Sequence, residues 1–521
     1  MKKYLMILGG FTGILFLFTV IPARFSAQPD HAAEYSAATP VTTLSAEESA
    51  AAPESEPDKA ALCETYRMLD ITSGKVEEIS VRDYVIGAVC AEMPATFEPD
   101  ALKAQAVAAH TYAERQHLLE SASPTAALCG LAIAAGIVTG ALTAGFGRIL
   151  LWIGTFRSNH LLWCLPFLPI AGVLMVWVYQ KYGKESAQGM SLIFDAADGK
   201  AKRIPLRLIP LLIGSTWLTH LCGGSAGREG VAVQLGAAVS HNMGRRIPWF
   251  RDIPDAVPIL PIAGMAAGFS GLFHAPLAAV CFALEVLAVG RLEYRALLPA
   301  VLAAVSANWV SAALGLETFQ VALPDVDTAP FSVPILLLGV FSGIAGGIFT
   351  LLLKQGKSWA AKLFPNPLLR IAVCGAVLAL LLFLCGKGRY TGLGTNLISL
   401  ACNGETIYWF DFLGKLLFTV CTLAVGFQGG EVTPLFAIGA CLGAVAAPLF
   451  GLPAVFGAAL CYAAVFGSAS NTWLAPICIG TEVFGFSCLP YFAVVCTVSR
   501  LCSGNRSMYG KQKPSPLFLQ K

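Results

Sequence analysis

From residue 126 to the C-terminus, apolar runs follow one another with short polar breaks: 127–151, 161–179, 204–221, 297–314, 333–353, 371–384 and 413–425. Several approach the roughly 20 residues that a helix needs to cross a bilayer. A multi-pass, all-α membrane region is therefore predicted. Its connectors, 200–207, 245–251, 354–370 and 500–513, are short and basic. Segment 257–289 is apolar but interrupted by Gly and Pro. Broken helices at membrane depth persist only where backbone is buried in protein or lines a wet cavity. The pattern predicts a transporter or channel rather than an anchor.

The first 120 residues read differently. Met1-Lys2-Lys3 precedes an apolar run over 4–23, so residues 1–25 are expected to form a signal anchor. A cleaved signal peptide is the alternative, but no small-x-small cleavage site stands out. Residues 26–60, rich in Ala, Ser, Pro, Glu and Thr, predict a disordered linker. Residues 61–120 predict a small exported α/β fragment. Residues 68–81 alternate like a hairpin with Ser73-Gly74 as its turn, and 101–119 reads as an Ala-rich amphipathic helix.

Composition supports the membrane reading. Of 521 residues, 56% are hydrophobic and 13% charged, against about 25% charged in soluble proteins. A net charge of +3 with no basic, aromatic-interleaved stretch excludes a nucleic-acid partner. The sixteen cysteines lie mostly in apolar runs, as at Cys374, Cys385, Cys421, Cys441, Cys461 and Cys496. There they are expected to be buried packing thiols. No zinc-like paired spacing occurs, so no metal or cofactor is implied.

An internal repeat marks the membrane region. Gly224-Ser225-Ala226-Gly227-Arg228-Glu229 and Gly426-Phe427-Gln428-Gly429-Gly430-Glu431 share the pattern G-x-x-G-x-E. Each leads into an apolar stretch with a Gly-Ala pair, Gly236-Ala237 and Gly439-Ala440, and Ala275-Pro276 recurs as Ala475-Pro476. Two repeated halves follow, with a site expected where the Gly/Pro-interrupted segments meet. A Gly-rich turn opening a helix exposes backbone N–H groups at the positive end of the helix dipole, which suits an anion. Glu229 would stand where that anion binds. Ionised, it competes for the place; protonated, it withdraws. Pairing with Arg228 for packing is the alternative. His220 and His274 are expected to be core histidines, Asn471 to line the path or cap a helix, and Glu482 to be a buried structural carboxylate.

Gly227-Arg228-Glu229-Gly230, the 271–285 segment with Ala275-Pro276, the Gly429-Gly430-x-x-x-Pro434 segment and Tyr509 together resemble the CLC chloride channel/antiporter family over about residues 125–512. The resemblance implies a homodimer in the bacterial plasma membrane. Each subunit would have its own pore and two inverted halves with broken helices. It implies that Glu229 is the gating, proton-exchanging glutamate and that Tyr509 contacts the central anion. Gly189, Gly227, Arg228, Gly230 and Val231 fall in the motifs that line the anion path. The departures point to one branch. Gly189-Met190-Ser191-Leu192 replaces Gly-Ser-Gly-x-Pro, Val231 replaces a Pro, and Gly430-Glu431-Val432-Thr433-Pro434 replaces Gly-x-Phe-x-Pro. Val286 stands at the inner proton-transfer glutamate, with Glu285 one residue early. This set is similar to the fluoride/proton antiporters of the family, in which the methionine and the Val-Thr pair belong to the anion site. The implied partners are fluoride, or on the second reading chloride, and protons.

A second resemblance covers about 60 residues. Asp83 to Pro94, containing Ala91-Glu92-Met93-Pro94, and the Ala101-Leu102-Lys103-Ala104-Gln105-Ala106 stretch resemble the stage II sporulation protein D / amidase-enhancer family. It implies that Glu92 is the catalytic acid of a peptidoglycan lytic transglycosylase. The remainder of that domain is missing, so an inactive fragment is expected. An anchor at 1–25 would put residues 26–120 outside, whereas a CLC module normally begins from the cytoplasm. The two demands meet only through an extra crossing or an inversion, and the join near residue 121 reads as a fusion or rearrangement.

Overall fold

The computed structural model describes residues 65–69, 76–92, 98–201, 203–247, 256–317, 319–323 and 329–513. The expected anchor, linker and Ser73-Gly74 turn lie outside them. The chain divides into two compact units, Met1–Ser123 and Pro124–Lys521.

In the first unit, strands Thr65–Leu69 and Val76–Ser80 pair antiparallel, from Thr65 opposite Ser80 to Leu69 opposite Val76. The predicted hairpin is present, with its first strand beginning three residues earlier. The helix Val81–Glu92 follows at once. Ser80 Oγ accepts from the backbone N–H of Asp83 at 3.0 Å, a side-chain cap that relieves an unpaired N–H at the helix start.

The second unit is helical. Among the described residues, seven segments are long and apolar enough to cross a membrane: Ala126–Asn159, Leu161–Ala197, Tyr294–Ala313, Val333–Leu363, Pro367–Leu384, Val432–Leu449 and Phe486–Ser503. Shorter apolar helices are Leu208–Leu221, Pro258–Phe273, Pro276–Glu285, Ala454–Ser470 and Leu474–Phe484. The 204–221 run yields a helix only from Leu208, because the residue before Pro205 is driven out of the α region. The 333–353 run continues as helix to Leu363, since Lys354, Gln355, Lys357 and Lys362 favour helix as well as apolar residues do. Segment 257–289 is broken at His274, whose φ of 57° ends one helix before Pro276 opens the next.

The Gly-Ala pairs of the repeat are close-packing points. Gly236 lies against Gly264 and Gly268, and a Cβ on it would come within 2.8 Å of the Gly268 nitrogen. Gly439 lies against Cys461 and Tyr462, at 2.9 Å from the Tyr462 Cα by the same test. Small residues let helix backbones approach where lipid offers no hydrophobic drive to association.

The two Ala-Pro helices cap each other. Glu285, at the end of Pro276–Glu285, accepts from the backbone N–H groups of Trp473 (3.0 Å), Leu474 (3.0 Å) and Ala475 (2.8 Å). Glu482, near the end of Leu474–Phe484, accepts from Leu277 (3.0 Å) and Ala278 (2.8 Å). Each carboxylate thus satisfies orphan N–H groups of the other helix and sits at its positive end. Glu482 is the structural carboxylate expected.

Of the six cysteines named above, three depart from the expected burial, Cys374 being half-buried. Cys441, Cys461 and Cys496 are buried, but Cys385 and Cys421 are exposed. Cys385 follows the helix Pro367–Leu384 and Cys421 lies in Asp411–Val425, and these helices also present Val377, Leu380, Leu384 and Leu417 outward. An apolar run therefore includes a lipid-facing stripe as well as a packed one.

Candidate functional site

Both G-x-x-G-x-E motifs stand at helix starts. The first opens Glu229–Arg246, and the second ends at Glu431, the residue preceding Val432–Leu449. The two starts are joined: Gly227 N donates to Gly430 O at 2.6 Å, and Gly430 N to Gly227 O at 2.8 Å. A Cβ on Gly227 would lie 2.9 Å from the Gly430 carbonyl oxygen, which explains glycine there. Two helix N-termini from the two repeats are thereby held side by side.

Glu229 sits in this junction, fully buried. Its Oε2 accepts from the Thr433 backbone N–H at 3.1 Å, from the Thr433 hydroxyl, and from the Arg228 N–H at 3.3 Å. Its Oε1 lies 3.6 Å from Arg228 Nε and has no hydrogen-bond partner. The carboxylate therefore occupies the N-terminus of Val432–Leu449, where backbone N–H groups and the helix dipole favour an anion. The Arg228 pairing weighed as an alternative is present, but it is the longer contact and leaves Arg228 Nε and Nη1 without hydrogen-bond partners.

The other sequence-derived residues fall around this point to different degrees. Val231, Val432 and Thr433 are buried in the first turns of the two helices, as is Gly230. Gly189, with φ of 56°, precedes the helix Met190–Ala197. The place of a Gly189 Cβ lies 3.6 Å from Gln234 Oε1 on the Glu229 helix. Met190 is partly exposed at that helix start. Tyr509 packs its ring against Phe194 of the same helix (centroids 5.6 Å) and against Phe282 (6.2 Å). Glu92 ends the helix Val81–Glu92 of the first unit.

Three features of the site were not singled out from the sequence. Lys415 is fully buried and donates to Ser225 Oγ (2.9 Å), Gly392 O (2.7 Å) and Tyr390 O (3.3 Å). Three donated bonds use all three N–H of an ammonium. Its signal was a lysine near the start of the apolar run 413–425, and an intramembrane charge is a functional hypothesis by default. Asp411, one turn earlier, is buried and held by Arg389 (2.7 Å to Nη2) and the Tyr390 hydroxyl (2.9 Å). Gln234 donates to Gly230 O at 3.0 Å and leaves Oε1 unpartnered. His220 behaves as the core residue expected, whereas His274 is half-buried and leaves its Nε2 unpartnered. Both ring nitrogens of buried His220 are engaged, by Thr216 O and Ala226 O, and His274 Nδ1 meets Asn308 Oδ1 at 2.9 Å. Asn471 ends Ala454–Ser470 in the left-handed region, the capping place. Val286 is buried, and the neighbouring Glu285 is taken up as a cap.

Spans of this number, two paired helix N-termini and a buried carboxylate between them define a mostly helical, multi-span membrane protein with an anion-type site. The family model described as "Voltage gated chloride channel" matches residues 171–504, and the chain belongs to this family. It is 36% identical over 408 residues to a "Chloride/fluoride channel protein" of Pseudomonas syringae pv. tomato, covering 77% of this chain and 88% of that protein. It is also similar to the crystal structure of a CLC-type fluoride/proton antiporter, with TM-score 0.73 and 50% identity, over 75% of this chain and 98% of that one. The structure of a slow cyanobacterial Cl−/H+ antiporter shares the fold, with TM-score 0.64 at 21% identity over 72% of this chain and 94% of that one. A "Stage II sporulation protein" family model matches residues 71–132.

Proposed function

We propose that this protein is a fluoride/proton antiporter that exports fluoride in exchange for inward protons. The observation that carries the reading is the Glu229 carboxylate seated on Thr433 at the start of Val432–Leu449. There the side chain stands in for the transported anion. A proton removes its charge, and a neutral carboxyl draws far less on the helix dipole and the Thr433 donors. It withdraws, and fluoride takes the vacated N–H and hydroxyl. Loss of the proton on the other side returns the carboxylate and expels the anion. Carboxylate and anion thus compete for one place, and protonation decides between them, which couples the two movements.

In this reading Gly189, Met190, Gly227, Arg228, Gly230, Val231, Val432, Thr433 and Tyr509 line the path. Met190 and Val432 favour fluoride over chloride, the second reading on the same scaffold. Arg228 offers its unpartnered N–H groups to the entering anion. The transport domain spans 125–512, has two inverted halves and acts as a homodimer in the bacterial plasma membrane. Residues 1–25 anchor the chain, 26–60 link, and 61–120 are a truncated sporulation protein D-like fragment lying outside, with Glu92 inactive. Muropeptide release by the purified chain would instead support a cell-wall lytic protein. The direct test of antiport is proton movement driven by a fluoride gradient in liposomes, and its absence in the presence of fluoride flux would reduce the protein to a channel.

A further inference from the structure

The segment that carries Tyr509 is bound on three sides. Met508 N donates to Ala469 O at 2.9 Å, and Ser507 Oγ and Gln512 Nε2 donate to Ser470 O. These are end carbonyls of Ala454–Ser470, otherwise unpaired. On the second side, Lys513 N donates to Leu287 O and Val289 N to Lys513 O, both at 3.0 Å. The third side is the helix Met190–Ala197. Among the described residues no backbone hydrogen bond joins that helix to the segment. The contact consists of the Phe194–Tyr509 ring packing and two ion pairs, Lys511 with Asp195 and Lys513 with Asp198 at 2.7 Å.

We propose that Asp195 and Asp198 are positioning residues, which hold Tyr509 against the Met190 helix through Lys511 and Lys513. Asp195 follows Phe194 directly, so its ion pair fixes the segment beside the ring contact. Asp198 also receives Lys200 at 3.1 Å, which restrains the carboxylate before Lys513 reaches it. Both carboxylates are less exposed than their partners, 21% and 15% against 44% and 54%. Partial shielding and a shared segment lift such pairs above isolated surface pairs. With the pairs broken, the backbone bonds keep the segment on the other two elements, but nothing polar registers Tyr509 to the helix that begins at Met190. The inference rests on the reading that Tyr509 lines the anion path.

The test uses the full chain and two readouts. In D195N/D198N, hydrogen exchange of amides 508–513 should quicken about three- to tenfold, the range expected for losing two such pairs. The half-saturating anion concentration in liposomes should rise by a similar factor, and 0.5 M impermeant salt should produce about the same shift in the unmodified protein. D195K, which sets two like charges face to face, should quicken exchange as well, and the charge-swapped D195K/K511D should recover most of that loss. In a Tyr509→Ala background, D195N/D198N should add nothing further to the transport defect. Unchanged exchange in D195N/D198N, or an equal additional loss on Tyr509→Ala, would overturn the proposal. The exchange measurement needs no transport, so it decides the latch even if the antiport reading fails.

Discussion

Glu229 and Thr433, 204 positions apart in the chain, meet through two hydrogen bonds from the threonine to one carboxylate oxygen. The contact brings together the first turns of the two repeats. It also places a titratable side chain at a helix N-terminus, a position whose free N–H groups and dipole suit an anion.

Replacing the carboxylate removes the proton carrier and keeps the shape. Glu229→Gln should abolish fluoride-driven proton movement, because an amide neither gains nor loses a proton in this range. Proton flux measured with a pH-sensitive dye in liposomes checks this. Unchanged flux removes Glu229 from the mechanism.

Thr433→Val keeps the backbone N–H and deletes the hydroxyl. A hydrogen bond to a charged group contributes about 1.5–3 kcal/mol. The half-saturating fluoride concentration should therefore rise by about tenfold or more, since anion and carboxylate share this donor. Concentration-dependent efflux provides the measurement, and an unaltered half-saturation would place the anion elsewhere.

Lys415→Met removes a buried ammonium beneath Ser225 and leaves the Gly392 and Tyr390 carbonyls without that donor. Anion affinity should fall severalfold, and the thermal midpoint should fall with it, because unpaired buried acceptors cost about 1–3 kcal/mol each. Lys415→Arg, assayed beside it, should recover affinity more than stability, since the charge returns and the compact three-bond geometry does not.

Met190→Ser tests selectivity. It restores the residue type found in the chloride-selective motif and should raise chloride flux relative to fluoride. Paired efflux recordings in the two salts decide the point. An unchanged ratio would assign discrimination to Val432 and Thr433 instead.

Much of the architecture was legible because membrane helices announce themselves through long apolar runs and Gly/Pro/Arg/Glu punctuation. The helix starts at Glu229 and after Glu431 and the break near Pro276 followed from such local signals, whereas the Gly236 and Gly439 pairs show in the sequence only as marks of the repeat, and their packing role comes from the structure. The pairing of Gly227 with Gly430, and with it the seat of Glu229 on Thr433, depends on contacts some 200 residues apart, which no local pattern encodes. The reciprocal caps of Glu285 and Glu482 were hidden for the same reason. Lys415 was visible as a misplaced charge, but its partners come from three separate segments. The helix Val333–Leu363 outran its apolar stretch because Lys and Gln carry helix propensity past the hydropathy boundary.

The central claim is tested most directly by efflux from liposomes containing the full chain, comparing fluoride with chloride while recording protons. The account predicts fluoride flux well above chloride, with protons moving the opposite way and that proton movement lost in Glu229→Gln. Chloride flux equal to or above fluoride, or fluoride flux without proton movement, would contradict it.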